Sequence, residues 1–267
     1  MSNTRFCLGA SLNTPQDVKP TYRVSLIAII PAHNEDQTIA GVVAATLAVA
    51  EVSRVLVVDD GSTDQTVACA EGAGAEVLQN HTNLGKGPRL VEGQEHAFAA
   101  GAERVILLDA DGQHDPADIP AFLALADAAP DDLIMGNRAA EMAQMPRSRA
   151  NGIRFGDFFI GWACGQRISD AQCGMRLIPR SLWERSCVPQ RHLHGFVYET
   201  AMLLYAAKAG ARILPVPIHA RYGEVLKRPS HFQPVSDFAK ITWMVTEFLF
   251  LHGLRPRGLL KQLGVLR

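Results

Sequence analysis

Five short apolar runs punctuate the first half of the chain: residues 24–30 (VSLIAII), 54–59 (RVLVVD), 76–78 (EVL), 104–108 (RVILL) and 133–136 (LIMG). The first four are each followed by a polar cluster and then by a helical pattern, over about 35–49, 63–71, 88–100 and 119–128. Aliphatic runs that alternate with helical stretches predict β-α-β units and a mostly parallel sheet. Further on, 182–185 and 198–208 read as helices and 213–218 as a strand. At 267 residues, with no internal repeat, the chain has room for one such domain and a modest appendage.

In open parallel sheets ligands bind beyond the carboxyl ends of the strands, so the polar residues just past each run are where chemistry is expected. Four clusters occupy those places: Pro31-Ala32-His33-Asn34-Glu35, Asp59 to Asp64 (DDGSTD), Asn83-Leu84-Gly85-Lys86-Gly87, and Asp109 to Asp115 (DADGQHD). Asp109 and Asp111, two apart on a strand-to-loop bend, can converge on one hard cation such as Mg²⁺ or Mn²⁺, with Gln113 as a neutral oxygen donor. A solvated turn is the plainer reading of the same residues. Asp59 and Asp60 suit hydrogen bonds to a base or a ribose, while Ser62 or Thr63 can cap the next helix. Lys86, between two glycines, offers a point charge to a phosphate.

Several classes fall away. With 26 Lys and Arg against 27 Asp and Glu the formal charge is −1, so there is no general field for nucleic acid and none is expected as a partner. Gly85-Lys86 lacks both the earlier glycine and the following hydroxyl of a Walker loop, and no G-x-G-x-x-G is completed, which disfavours dinucleotide oxidoreductases. A haloacid dehalogenase-type phosphatase also begins with D-x-D, but it does so near the start of its fold and with Thr or Val where Gln113 stands.

The ordered series IPAHNE, VVDDGSTD, NLGKG, LLDADGQHDP and DAQCGMR resembles family two of the glycosyltransferases, in the branch of dolichyl-phosphate mannose and glucose synthases. The likeness runs from about residue 30 to about 220. It implies an α/β, Rossmann-like nucleotide-diphospho-sugar transferase fold and an inverting transfer from a UDP- or GDP-linked sugar. By the same likeness Pro31, Ala32, Glu35, Asp59 and Asp60 hold the nucleotide, Asp109, Asp111 and Gln113 hold Mg²⁺ or Mn²⁺, and Asp170, Gln172 and Arg176 lie on the acceptor side. Two departures stand out: the paired C-terminal transmembrane helices of some relatives are missing, and 221–232 (RYGEVLKRPSHF) differs from the best-known synthases.

The acceptor decides which residues are needed. A polyprenyl phosphate is already an oxyanion and needs cations to orient it, for which Arg176, Arg180, Arg221 and Lys227 are available. A lipid or sugar hydroxyl needs a carboxylate base, for which Asp170 and Glu199 are the candidates. Glu199 also suits a simpler role, as an acid at a helix N-terminus. A sugar-nucleotide-binding protein without turnover and a nucleotidyltransferase are the alternatives, although the latter wants a glycine-rich basic loop where Pro31–Glu35 is acidic.

The chain divides on this reading into a loose leader (1–22), a transferase domain (23–233) whose nucleotide half ends near 115, and an amphipathic helix with a basic tail (234–267). Five cysteines with no C-x-x-C and no signal-like leader point to a cytoplasmic protein with reduced thiols. No run reaches the roughly 18 apolar residues of a membrane-spanning helix. Residues 241–251 (ITWMVTEFLFL), followed by Arg255, Arg257, Lys261 and Arg267, fit either a helix lying on an anionic membrane surface or one packed on the protein.

Overall fold

The computed structural model describes residues 25–138, 147–219 and 234–265. Its centre is a seven-stranded sheet of order β3-β2-β1-β4-β6-β5-β7. The strands are β1 (Leu26–Ala32), β2 (Val52–Asp60), β3 (Glu76–Asn80), β4 (Arg104–Leu107), β5 (Leu133–Asn137), β6 (Arg176–Pro179) and β7 (Ile213–Pro217). All pair in parallel except β6, which runs antiparallel to both β4 and β5. Every residue of β1 is buried, which is why its sequence is an unbroken apolar run rather than an alternation.

The helices are α1 (Ile39–Leu47), α2 (Thr66–Gly72), α3 (Lys86–Ala99), α4 (Ile119–Ala128), α5 (Arg147–Cys164), α6 (Arg180–Arg185), α7 (Val197–Lys208), α8 (Pro234–Leu251) and α9 (Pro256–Gln262). Helix α3 presses closely on the sheet at Gly93, where an added Cβ would lie 2.6 Å from Ile29 Cγ2 and 3.0 Å from Val58 Cγ2. Its first turn begins at Lys86, two residues before the sequence reading placed it, on Gly85 with φ of 86°. That conformation favours glycine and aims the helix start at the carboxyl ends of the strands.

Two sequence expectations are corrected here. The antiparallel strand β6 has no counterpart in the sequence reading, because four residues are too few for a visible alternation. Neither Ser62 nor Thr63 caps α2, whose N-cap is Gln65. Instead the Ser62 hydroxyl accepts the Asn34 amide at 2.9 Å, and the Thr63 amide donates to Asn34 Oδ1 at 2.8 Å. The two loops after β1 and β2 are thereby fastened to each other.

The C-terminal helices pack back on the domain. Met244, Val245, Phe248 and Leu249 of α8 are buried, and Phe248 meets Tyr205 of α7 edge-on at 5.5 Å. Trp162 of α5 donates to the Leu254 carbonyl at 2.8 Å. Arg255 donates to the Ala163 carbonyl at 2.6 Å with its guanidinium over Phe248, so one of the four tail cations is spent on packing. On the outward side of α8, Trp243 and Phe250 remain 75% and 71% exposed. Among the described residues no helix is long and apolar enough to cross a membrane.

Candidate active site at the carboxyl edge of the sheet

The loops after β1, β2 and β4 meet the starts of α3 and α7 around one ammonium group. Lys86 Nζ lies 2.6 Å from Asp109 Oδ1 and 3.0 Å from Glu199 Oε1. Burial works against the charged lysine, but the two carboxylates outweigh it and hold its pKa above the ordinary value. Burial likewise opposes ionisation of Asp109, and the Lys86 charge overcomes it, keeping that carboxyl well below the usual range. For Asp111 burial, and then repulsion from Asp109, outweigh the Gln113 hydrogen bond and the Lys86 charge and push it up to about 6.

The neighbouring motifs position this cluster. Asp60 accepts the amides of Leu84 and Gly85, each at 2.8 Å, and the Nε of Arg89 at 2.8 Å. Three bonds from the chain thus fall on its two oxygens, and they fold the loop that carries Lys86. Asp59 is fully buried and accepts the Ser62 amide at 3.2 Å. Pro31 and Ala32 end β1 and are buried, with Ala32 in register with Asp59. The Glu35 amide donates to Thr66 Oγ1 at 2.7 Å, and its carboxylate accepts the Thr38 hydroxyl at 3.0 Å.

On the other side, Asp170 sits in the left-handed region with φ of 57° and is 1% exposed. Asp157 of α5 holds it there, accepting the Asp170 and Ala171 amides at 2.8 Å each. The Asp170 carboxylate receives Arg138 in a two-pronged contact, Nε to Oδ2 and Nη2 to Oδ1, both at 2.7 Å. Gln172 is exposed in the turn that follows.

Two of the predicted arginines are engaged by the chain itself. Arg176 is 0% exposed, and its guanidinium donates to the carbonyls of Cys173 and Ala171, each at 2.9 Å, and to the Glu199 carbonyl. It is a strut between the 170–175 turn and α7. Arg180 lies past the far end of β6, where Pro179 pairs with Arg104 at the start of β4, and its guanidinium donates to the carbonyls of Ala102 and Phe98. The reversal of β6 carries it to the opposite edge of the sheet. Arg221 and Lys227 fall outside the described residues.

Residues to which the sequence reading gives no role complete the site. His114 is buried, with Nδ1 accepting the Asp109 amide at 3.2 Å, and burial lowers its pKa toward the neutral ring. Gly174 gives Asp109 its space, since an added Cβ would lie 2.6 Å from Oδ2. Arg138 stands just past β5, and the same strand-end rule that found the other clusters would have found it.

The donors suit a small hard cation. Two carboxylates share one loop, and the Gln113 amide fixes Asp111 Oδ1 at 2.9 Å. Among the described residues no group of three His, Cys, Asp or Glu side chains forms an all-protein cage. An ion held here must take other oxygens from water or a bound diphosphate, as Mg²⁺ and Mn²⁺ do.

Comparison with known proteins agrees with this architecture. The model of glycosyl transferase family 2 matches residues 27–185. The chain is 27% identical over 201 residues to an undecaprenyl-phosphate mannosyltransferase of Micrococcus luteus, covering 72% of this chain and 82% of that protein. To a UDP-N-acetylglucosamine–dolichyl-phosphate N-acetylglucosaminyltransferase of Methanococcus voltae it is 29% identical over 221 residues, covering 73% and 85%. The crystal structure of glucosyl-3-phosphoglycerate synthase from Mycobacterium tuberculosis, in complex with Mg²⁺ and UDP, superposes with a TM-score of 0.57 at 20% identity, covering 84% of this chain and 78% of that one. With its mostly parallel sheet, its motifs in order at the strand ends and a family match over more than half its length, the chain belongs to glycosyl transferase family 2.

Proposed function

We propose that the protein moves a sugar from a UDP- or GDP-linked donor to a polyprenyl phosphate with inversion at the anomeric carbon. The observation that carries the choice of acceptor is the state of the two carboxylates that could act as bases. Glu199 is tied to Lys86 at 3.0 Å, and Asp170 is enclosed and clasped by Arg138. Neither is presented to take a proton from a hydroxyl, whereas a phosphate oxyanion needs no base. The names of the relatives point the same way.

In this reading a phosphate oxygen of the acceptor attacks C1 of the sugar. The C1–O bond to the diphosphate breaks, and its electron pair leaves with the nucleoside diphosphate. Asp109 and Asp111 would hold Mg²⁺ or Mn²⁺, which when bound neutralises charge on the leaving diphosphate. Lys86 at the start of α3 faces the same group, where the helix terminus adds its own positive end. Arg138, kept rigid by Asp170, replaces Arg176 and Arg180 as the cation on the acceptor side. Trp243 and Phe250 form an outward apolar face on α8, and with Arg257 and Lys261 following in α9 we assign that face to an anionic membrane surface.

The test is transfer of labelled sugar from UDP- and GDP-sugars to undecaprenyl phosphate and, in parallel, to undecaprenol. Product on the phosphate alone is the expected result. Equal transfer to the alcohol would restore Glu199 or Asp170 as a base, and no transfer to either would overturn the acceptor assignment.

A further inference from the structure

Lys86 does more in this structure than wait for a phosphate. Its ammonium lies 2.6 Å from Asp109 Oδ1, on the first carboxylate of the pair suited to a cation, and 3.0 Å from Glu199. A dication bound to Asp109 and an ammonium at that distance repel each other strongly, so both cannot hold the same oxygen. The backbone beneath Lys86 is closely packed. Gly85 is in the left-handed region, and a Cβ on Gly87 would run into the carbonyls of Leu193 and Gly195. Any movement must come from the four-carbon side chain, which is flexible enough to swing between partners.

We infer that Lys86 is a built-in substitute for the metal ion: it neutralises Asp109 when no donor is bound and, keeping its contact with Glu199, yields the Asp109 carboxylate only when a nucleoside diphosphate supplies another anion for the ammonium. The site is thereby closed to free divalent ions and opened by the metal and diphosphate together. Linkage makes the effect reciprocal, so the factor by which the diphosphate tightens metal binding equals the factor by which the metal tightens diphosphate binding. The inference rests on the reading of the site as one for a sugar nucleotide, and binding measurements test it without turnover.

The experiment is a titration with Mn²⁺, reading free ion by electron paramagnetic resonance, with no nucleotide, with UDP and with GDP. In the wild-type protein one of the two diphosphates should tighten Mn²⁺ binding at least tenfold. Lys86→Met should bind Mn²⁺ alone at least tenfold more tightly than wild type and show a smaller gain from the diphosphate. Lys86→Arg, which keeps the charge, should behave as wild type, and Asp109→Asn should lose the ion in every state. Wild-type binding of Mn²⁺ that is equally tight with and without a diphosphate overturns the inference while leaving the transferase reading intact, and this arm needs no variant to fold. Lys86→Met that binds Mn²⁺ alone no more tightly than wild type overturns it as well. If neither diphosphate binds, or if Asp109→Asn binds Mn²⁺ like wild type, the reading of the site fails and the inference goes with it.

Discussion

On the proposed donor side of the sheet, β1 to β4, the polar residues of the site follow strand ends, and their contacts join loops that are successive in the chain: Asn34 to Ser62, Asp60 to Gly85, Asp109 to Lys86. On the proposed acceptor side the partners are no farther apart in sequence, but they come from elements of different kinds. Arg138 follows β5, Asp170 precedes β6, Asp157 lies on α5, and Arg176 ties the turn to α7. A strand-end rule reads the first arrangement directly. In the second, the direction of β6 decides which arginine reaches the site, and four residues do not reveal that direction.

The largest expected effect is on the donor side. Asp109→Asn or Asp111→Asn should lower transfer by about 100-fold or more, the scale of losing a charge-stabilising group at a reacting centre. Melting temperature should change by only a few degrees, because both changes are nearly isosteric and the side chains lie at the sheet edge. Wild-type rates in either variant would remove the cation from the account.

On the acceptor side the corresponding substitution should act on the fold. Arg176→Ala leaves three buried carbonyls without their donor, at about 1–3 kcal/mol each, so denaturant unfolding should show a loss of several kcal/mol. The acceptor KM of the folded enzyme should stay within about twofold of wild type, because the guanidinium touches only this chain. A large rise in KM with unchanged stability would return Arg176 to the acceptor.

The fold class and the four strand-end loops are legible in the sequence because buried parallel strands are unbroken aliphatic runs and their ends are abrupt. Arg176 and Arg180 are not, because a buried strut and a ligand-gripping arginine carry the same letter, and only the sheet tells which carbonyls lie within reach. Asp60 carries a related ambiguity. Two acids after a strand suggest a ligand, but one of them accepts the Leu84 and Gly85 amides and Arg89.

Gly174 joins the two sides and should give an intermediate effect. Its hydrogen faces the Asp109 carboxylate, so Gly174→Ala must displace that side chain. Displacing a catalytic group by about 1 Å costs up to about 100-fold in rate, and transfer should fall by about tenfold or more with little change in melting temperature. Activity equal to wild type would show that Asp109 can move without loss. The smallest effect is expected from Arg180→Ala at the opposite edge, about 1 kcal/mol of stability for its exchanged hydrogen bonds and no change in acceptor KM.

The central claim is that the carboxyl edge around Lys86, Asp109 and Asp111 takes a sugar nucleotide with a divalent ion. A melting-temperature panel tests it most directly, since a ligand that binds only the folded state raises the midpoint. UDP- and GDP-sugars are compared with and without Mn²⁺, in wild type and in Asp109→Asn. The account predicts a clear rise for one of the two bases, larger with Mn²⁺ than without it, and no Mn²⁺-dependent part in the variant. An unchanged midpoint with every nucleotide sugar, or an equal Mn²⁺-dependent rise in Asp109→Asn, would contradict it.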